Sequence, residues 1–379
     1  MHVSRLAAAS PVGANTRRLQ IRDHRVTVVT ASAGAAGLVS ETFYPEGMLS
    51  VFGTEETHES DLTIVDLTCD HAEIRELLQA VATTTQGEYE LTRNYRLPRF
   101  DCGSHTVFRL QDVNSDEVAA LIRTDRRVTI VRPPTDLGDR WLTRIIRDVA
   151  TRYAKADGSL ILHSSAFVFD GGAYLVIGDS GAGKSTTAIA LARLLASGGW
   201  MGNDRIHLDS NGPRYQVTAC PLPLAVNKGS LDVMGVTGFQ NWPVRAGIPG
   251  PGSDWDRFQG EDKLKLSSRE VNRYLGVRVV PEAVLAGVIL PAVDREAEFF
   301  CELAKPDHAA AVITRNCLSL DDNLYGEDWL EVTVRRRGAS PSLDGFLDHI
   351  ANLPVLSCSV GNAADVARLM VDFQHAVGV

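Results

Sequence analysis

Residues Gly178-Asp179-Ser180-Gly181-Ala182-Gly183-Lys184-Ser185-Thr186 satisfy the pattern G-x-x-x-x-G-K-S/T without a mismatch. Each residue type has a physical reason to be there. Glycines at 178, 181 and 183 let backbone N–H groups turn inward on phosphate oxygens, and the helix start that follows adds its partial positive charge. Lys184 supplies a point charge for β and γ phosphates, and the Ser185 hydroxyl can ligate Mg²⁺. Asp179, Ser180, Ala182 and Thr186 complete the lining, the first two at least fixing the loop's shape. The apolar run Tyr174 to Ile177 leads straight into the loop. Thr187 to Ala196 leaves it with Ile189, Leu191, Leu194 and Leu195 at helical spacing. That is the strand–loop–helix order the motif requires, so nucleotide phosphate binding is expected. The motif alone names no reaction, because kinases, transport ATPases, switches and helicases share it.

Two further residues have chemistry within reach of such a loop. Asp204, in Trp200 to Leu208, falls at the polar end of a short strand after the loop's helix, where an acid holding Mg²⁺ is expected. His163 stands upstream in Leu160 to Ser165 (LILHSS). By itself, a histidine in an apolar strand is more often a satisfied core residue than a chemical one. Together the histidine strand, the glycine-rich loop and the Gly202-Asn203-Asp204-Arg205 turn resemble the C-terminal catalytic domain of the HPr kinase family. More closely, they resemble the HPr-kinase-related proteins of bacterial peptide-modifying gene clusters. The resemblance spans roughly residues 140 to 300. Cys220 to Leu224, Lys228-Gly229-Ser230 and Asp262 to Lys265 look like later blocks of the same group.

The resemblance implies an α/β P-loop catalytic domain, HPr kinase/PEP carboxykinase-like with a mixed sheet, using ATP and Mg. It also implies roles for single residues: His163 matches the family histidine, and Asp204 matches the second acid of the family's acid pair. Ser185 and Asp204 would hold the metal. His163, Lys184 and Asp204 would be the catalytic set. One position departs, since Asn203 stands where HPr kinases carry the first acid. An amide cannot accept a proton as a base, so that role falls vacant or passes to Asp204 or His163. The glycine-rich signature of the dephosphorylating activity is absent, Arg273 to Arg278 being only a loose echo, so a kinase without the reverse hydrolysis is expected.

These residues need elements to hold them. Residues 1–135 read as an α+β accessory domain of short strands: Arg25 to Ala31, Leu62 to Leu67, His105 to Leu110, and a hairpin of Val118 to Ile122 with Arg127 to Val131. One helix, His71 to Ala82, interrupts them. Residues 136–379 read as the catalytic domain. A helix from Asp139 carries Trp141, Ile145, Ile146, Val149 and Tyr153 at helical steps and ends near Asp157-Gly158. Strands Leu160 to Phe169 and Ala173 to Ile177 follow, joined by the Asp170-Gly171-Gly172 turn. Residues 235–262, rich in glycine and proline, read as a long loop; Phe239, Trp242, Trp255 and Phe258 suit it as a lid over an acceptor, with Gly247 to Gly252 at its centre. The acidic residues Asp321, Asp322, Glu327 and Asp328 read as a solvated turn. The tail reads as helices at Pro341 to Leu353 and Ala363 to Ala376 flanking a strand at Val355 to Val360.

Composition narrows the function classes. At 379 residues, 44% hydrophobic and 22% charged, the chain can bury a sizeable core without disulfides. The net charge of −9 opposes a polyanion, so no nucleic-acid partner is expected and helicase function lacks its charge balance. Six scattered cysteines form no C-x-x-C pair and fit reduced thiols of a cytoplasmic protein. Met1 to Asn15 lacks a secretory apolar core. The longest apolar run, Ala283 to Val293, is about half the roughly 20 residues of a spanning helix, so no membrane partner is expected. A transport ATPase is disfavoured for want of an LSGGQ-type segment. Asn227-Lys228-Gly229-Ser230 lacks the acid of a guanine-reading motif, which leaves ATP and GTP open. The leading expectation is an ATP- and Mg-dependent kinase acting on an acceptor hydroxyl of a peptide, a protein or a small molecule. A homo-oligomer is left open. The alternative is a catalytically weakened nucleotide-binding regulatory protein marked by Asn203.

Overall fold

The β-branched runs and amphipathic segments assemble into two units, each with its own apolar interior. The computed structural model describes every residue except 1, 45–49, 52–59, 93–94, 112–115, 221, 243–262, 293–297, 321–327, 333–341 and 379. The chain divides into two compact units. The first takes in Met1–Ser40, Leu49–Asp157 and Leu320–Arg337, and the second Glu41–Met48, Gly158–Ser319 and Gly338–Val379.

The first unit contains α1 (His2–Ala8), β1 (Asn15–Ile21), β2 (His24–Thr30), α2 (Ala33–Thr42, its last two residues counted with the second unit), β3 (Ser50–Val51), β4 (Leu62–Thr68), α3 (His71–Val81), β5 (Thr85–Thr92), β6 (Tyr95–Cys102), β7 (His105–Gln111), β8 (Val118–Thr124), β9 (Arg127–Arg132) and α4 (Asp136–Ala156). Its strands form one sheet in the order β3-β1-β2-β4-β9-β8-β7-β6-β5. The β2–β4 and β4–β9 pairs are parallel and the rest antiparallel. Helices α1 and α3 bury Leu6, Ile74, Leu77 and Val81 against Val65, Val107, Ile122 and Val131. Asp70 caps α3 in a capping box with Glu73. Sequence periodicity finds α3 and the β8–β9 hairpin. It misses β1, whose five polar residues out of seven are exposed or half-exposed, and α2, whose small residues make no apolar stripe.

The first unit's segment Leu49–Asp157 includes α4, which the sequence reading placed beyond a boundary at 135. Side chains of α4 are engaged inside that unit: Trp329 Nε1 donates to Asp148, Arg152 donates to Tyr89, and Tyr153 stacks on His24. Arg132 lies fully buried, bidentate on Asp66 at 2.8 Å through Nε and Nη2 and 2.7 Å from Asp139 through Nη1. A buried charge so completely paired is a structural tie, and removing one partner would strand the other.

The second unit contains β10 (Leu160–Leu162), β11 (Ser164–Phe169), β12 (Gly172–Ile177), α5 (Lys184–Leu194), β13 (Gly199–Gly202), β14 (Ile206–Asn211), β15 (Arg214–Ala219), β16 (Leu224–Val226), α6 (Lys228–Val233), β17 (Leu264–Leu266), α7 (Ser268–Leu275), β18 (Glu282–Ala292), β19 (Phe300–Leu303), α8 (Pro306–Arg315), α9 (Leu343–Ile350), β20 (Val355–Ser359) and α10 (Ala363–Val377). Its main sheet is mixed, in the order β10-β14-β15-β18-β12-β11-β13, with β20 beside β18 and β19 beside β20. One core joins α5 and α10 to the sheet through Phe167, Val176, Ile189, Leu191, Trp200 and Phe373. The other joins α8 and α9 through Leu175, Ile177, Met201, Val217, Ile313 and Phe346. Helices on both faces of a mixed sheet make this an α/β unit.

The tail helices and strand form where periodicity places them, as α9, β20 and α10. The segment expected as one strand over 160–169 breaks at His163 into β10 and β11. Of the expected lid, residues 243–262, with Trp255, Phe258 and Gly247 to Gly252, lie outside the described residues. The part before them forms a 3₁₀ turn, Phe239–Asn241, after which Trp242 stacks on Tyr274 at 4.8 Å. Asp321, Asp322 and Glu327 also lie outside the described residues, whereas Asp328 sits 3.5 Å from Arg152. All six cysteines are free thiols. Among the described residues no helix is long and apolar enough to cross a membrane.

Candidate functional site

The candidate site forms where three strands of the second unit meet at one sheet edge. β12 runs parallel to β18, so Ile177 and Gly178 end beside Pro291. β11 is antiparallel to β12 and begins at Ser164, opposite Ile177. β13, antiparallel to β11, ends at Gly202 opposite Ala166. Leu162 faces Ile206 and Ala166 faces Gly202 in one register. Carried across the gap, that register sets His163, Ser164 and Ser165 against Arg205, Asp204 and Asn203. The ladder opens at these three positions, and the chemistry-bearing residues collect in the opening.

The glycine-rich loop spans the end of β12 and the start of α5. Gly181 and Gly183 have φ of +82° and +85°, the left-handed region that favours glycine, and Gly183 is the N-cap of α5. Lys184 is buried, and its Nζ donates to the carbonyls of Gly178 at 2.8 Å and Asp179 at 3.0 Å, clasping the loop from within. Burial pushes the Lys184 ammonium down, and the nearby carboxylates of Asp204 and Asp179 oppose that shift. Ser185 Oγ lies 3.3 Å from Ser165 Oγ on β11. Thr186 Oγ1 lies 2.7 Å from Ser230 Oγ, and Ser230 is held by Asn227, the N-cap of α6. Asp179 and Ser180 are exposed at the rim, with Asp179 facing Arg315 at 3.5 Å.

His163 Nε2 lies 3.5 Å from Asp204 Oδ1. Asp204 holds the left-handed conformation, φ +66°, at the corner between β13 and β14, a position aspartate tolerates better than most side chains. Arg205 Nε stands 3.8 Å from its other oxygen. Burial and the Lys184 charge push the His163 ring below the usual imidazole range, against the pull of Asp204 and a hydrogen bond with the Asn316 side chain. The ring is therefore neutral at pH 7 and able to accept a proton, so the 3.5 Å His163–Asp204 approach becomes an ion pair only once the ring is protonated. Asn203 is 6% exposed; its Nδ2 reaches Pro223 O at 3.4 Å, while Oδ1 is buried with no hydrogen-bond partner among the described residues.

The site thus brings together His163, Lys184, Ser185 and Asp204. Thr186 turns instead to α6, and Lys265 is exposed on β17 between buried Leu264 and Leu266. Sequence reasoning missed Ser165, Arg315 and Asn316, which come from β11 and the end of α8. Only the hydroxyl beside His163 carried a local signal. Asn316 and Arg315 lie over a hundred residues away and reach the site through the pairing of His163 N to Asn316 O at 2.8 Å. The hydroxyls of Ser185 and Ser165, 3.3 Å apart, and the Asp204 carboxylate are hard oxygen donors, a type that fits Mg²⁺ and suits soft metals poorly. Among the described residues no group of three or more His, Cys, Asp or Glu side chains is placed to hold a metal ion.

No family model matches the sequence, and no curated protein matches it. Among solved structures the chain is similar to the Hpr(Ser) kinase/phosphatase from Coxiella burnetii. The identity is 9%, over 57% of this chain and 94% of that one, with a TM-score of 0.26. At that score the likeness decides neither fold nor chemistry.

Proposed function

We propose that the second unit is an ATP- and Mg²⁺-dependent kinase that transfers the γ-phosphoryl group to an acceptor hydroxyl of a peptide, a protein or a small molecule. One observation carries this reading: a G-x-x-x-x-G-K-S/T loop, with Gly181 and Gly183 left-handed and Lys184 inside it, opens beside a His163–Asp204 pair on the same sheet edge. Backbone N–H groups of the loop and the start of α5 receive the phosphate chain, and Lys184 exchanges its loop carbonyls for phosphoryl oxygens. Ser185 and Asp204 hold the metal, with the Ser165 hydroxyl as a neutral oxygen beside Ser185. Bound Mg²⁺ supplies neutralisation of the charge shared by the β and γ phosphates. Asn203 cannot take a proton, so His163, kept neutral by burial and Lys184, receives the acceptor's hydroxyl proton on an unprotonated ring nitrogen, and the Asp204 carboxylate, 3.5 Å from Nε2, stabilises the imidazolium that forms.

The test is transfer from labelled Mg·ATP to a panel of peptide and small-molecule hydroxyl acceptors. The expected result is a gain of one phosphoryl group on an acceptor, lost in Lys184→Ala. A regulatory protein would instead bind ATP tightly with negligible turnover on every acceptor, and that outcome would replace this reading.

A further inference from the structure

We infer that Arg315 is the binding residue for the terminal phosphoryl group and makes the site select triphosphate over diphosphate. This inference rests on the nucleotide reading above and adds to it a residue that the loop motif does not contain. Arg315 Nη2 lies 3.5 Å from Asp179 Oδ2, with 56% and 67% of the two side chains exposed. Asp179 is the second residue of a loop whose backbone is shaped to receive an anion. A carboxylate there repels an incoming phosphate chain unless a cation neutralises it.

The cation is aimed by its backbone. Arg315 ends α8, and the next residue, Asn316, is buried with its carbonyl accepting the His163 N–H at 2.8 Å. Cys317 then bridges to Leu162. The corner bearing Arg315 is thereby fastened to the strand that carries His163, between the loop rim and the proton acceptor. Lys184 must leave two loop carbonyls before it can reach a phosphate, whereas Arg315 is tied, among the described residues, to one exposed carboxylate. Exposed pairs are weak and exchange readily for a better partner. A phosphoryl group with two free oxygens is such a partner for the planar guanidinium fork.

The experiment is calorimetric titration of the full chain with Mg·ADP and with a non-hydrolysable Mg·ATP analogue, for wild type, Arg315→Ala and Asp179→Asn. Removing a charged hydrogen-bond donor from the terminal phosphoryl should weaken the triphosphate on the order of tenfold or more, while the diphosphate changes less than about threefold. Asp179→Asn, which frees Arg315, should tighten the triphosphate. Equal losses for both nucleotides in Arg315→Ala, or no loss, would overturn the inference and leave the kinase reading standing. Should Arg315→Ala melt well below wild type, Asp179→Asn decides, and an unchanged triphosphate affinity there also overturns it. Wild type that binds neither nucleotide would remove the kinase reading itself.

Discussion

His163 is pulled in opposite directions by its surroundings, and its titration is the most direct reporter of the site. Burial and Lys184 hold the ring below its ordinary value of about 6.5, and Asp204 and Asn316 only partly offset them. The kcat/KM of transfer should therefore stay level from pH 7 to about 6.5 and fall only on further acidification, through the lowered pKa. In His163→Gln that acid limb should vanish, with transfer reduced roughly 10²- to 10⁴-fold. Stability follows the same sign. The unfolded ring protonates first as pH falls beneath about 6.5, so folding loses stability from there down to the folded pKa, and the His163 contribution is fully present above that window. Thermal melts of wild type and His163→Gln should diverge in their pH dependence only in that acid range. Asp204→Asn keeps a residue suited to φ +66° while removing the charge, so it should fold normally and lose metal-dependent transfer.

Among the elements, the loop between β12 and α5 depends on its backbone before its side chains. A Cβ at Gly181 would meet nothing within 4 Å, so the penalty of Gly181→Ala is conformational, about 1–2 kcal/mol for holding an alanine at φ +82°. Denaturant titration should show a loss of that size, together with weakened Mg·ATP binding as the loop reshapes; unchanged stability and affinity would contradict the loop conformation. Gly178 differs, because a Cβ there would press on Ala182 at 3.0 Å and Pro291 at 3.4 Å. The strand, loop and helix were legible in the sequence because their signals are local: an apolar run, a motif, a helical period. Residues contributed by other elements were not. Ser165 joins Ser185 through the β11–β12 pairing, and Arg315 joins Asp179 across 136 residues. The break at His163 was hidden because LILHSSAFVF reads as one apolar strand, and only its pairing with both β14 and β12 divides it.

In the molecule as a whole, neither unit is a continuous stretch of chain, which composition and periodicity cannot reveal. Leu320–Arg337 returns to the first unit, where Trp329, 2% exposed, meets Phe108 edge-on at 4.9 Å and donates to Asp148 at 2.8 Å. Trp329→Ala should therefore destabilise the first unit by about 3–5 kcal/mol, read from denaturant unfolding; a loss below about 1 kcal/mol would show that the returning segment is dispensable. The second unit gathers every proposed catalytic residue on one edge of its mixed sheet. Calorimetric titration of the intact protein with Mg·ATP tests that claim most directly. The account predicts a saturable heat with one nucleotide per chain, abolished in Lys184→Ala while that variant still unfolds cooperatively. An absence of heat from wild type, or an undiminished heat in Lys184→Ala, would contradict it.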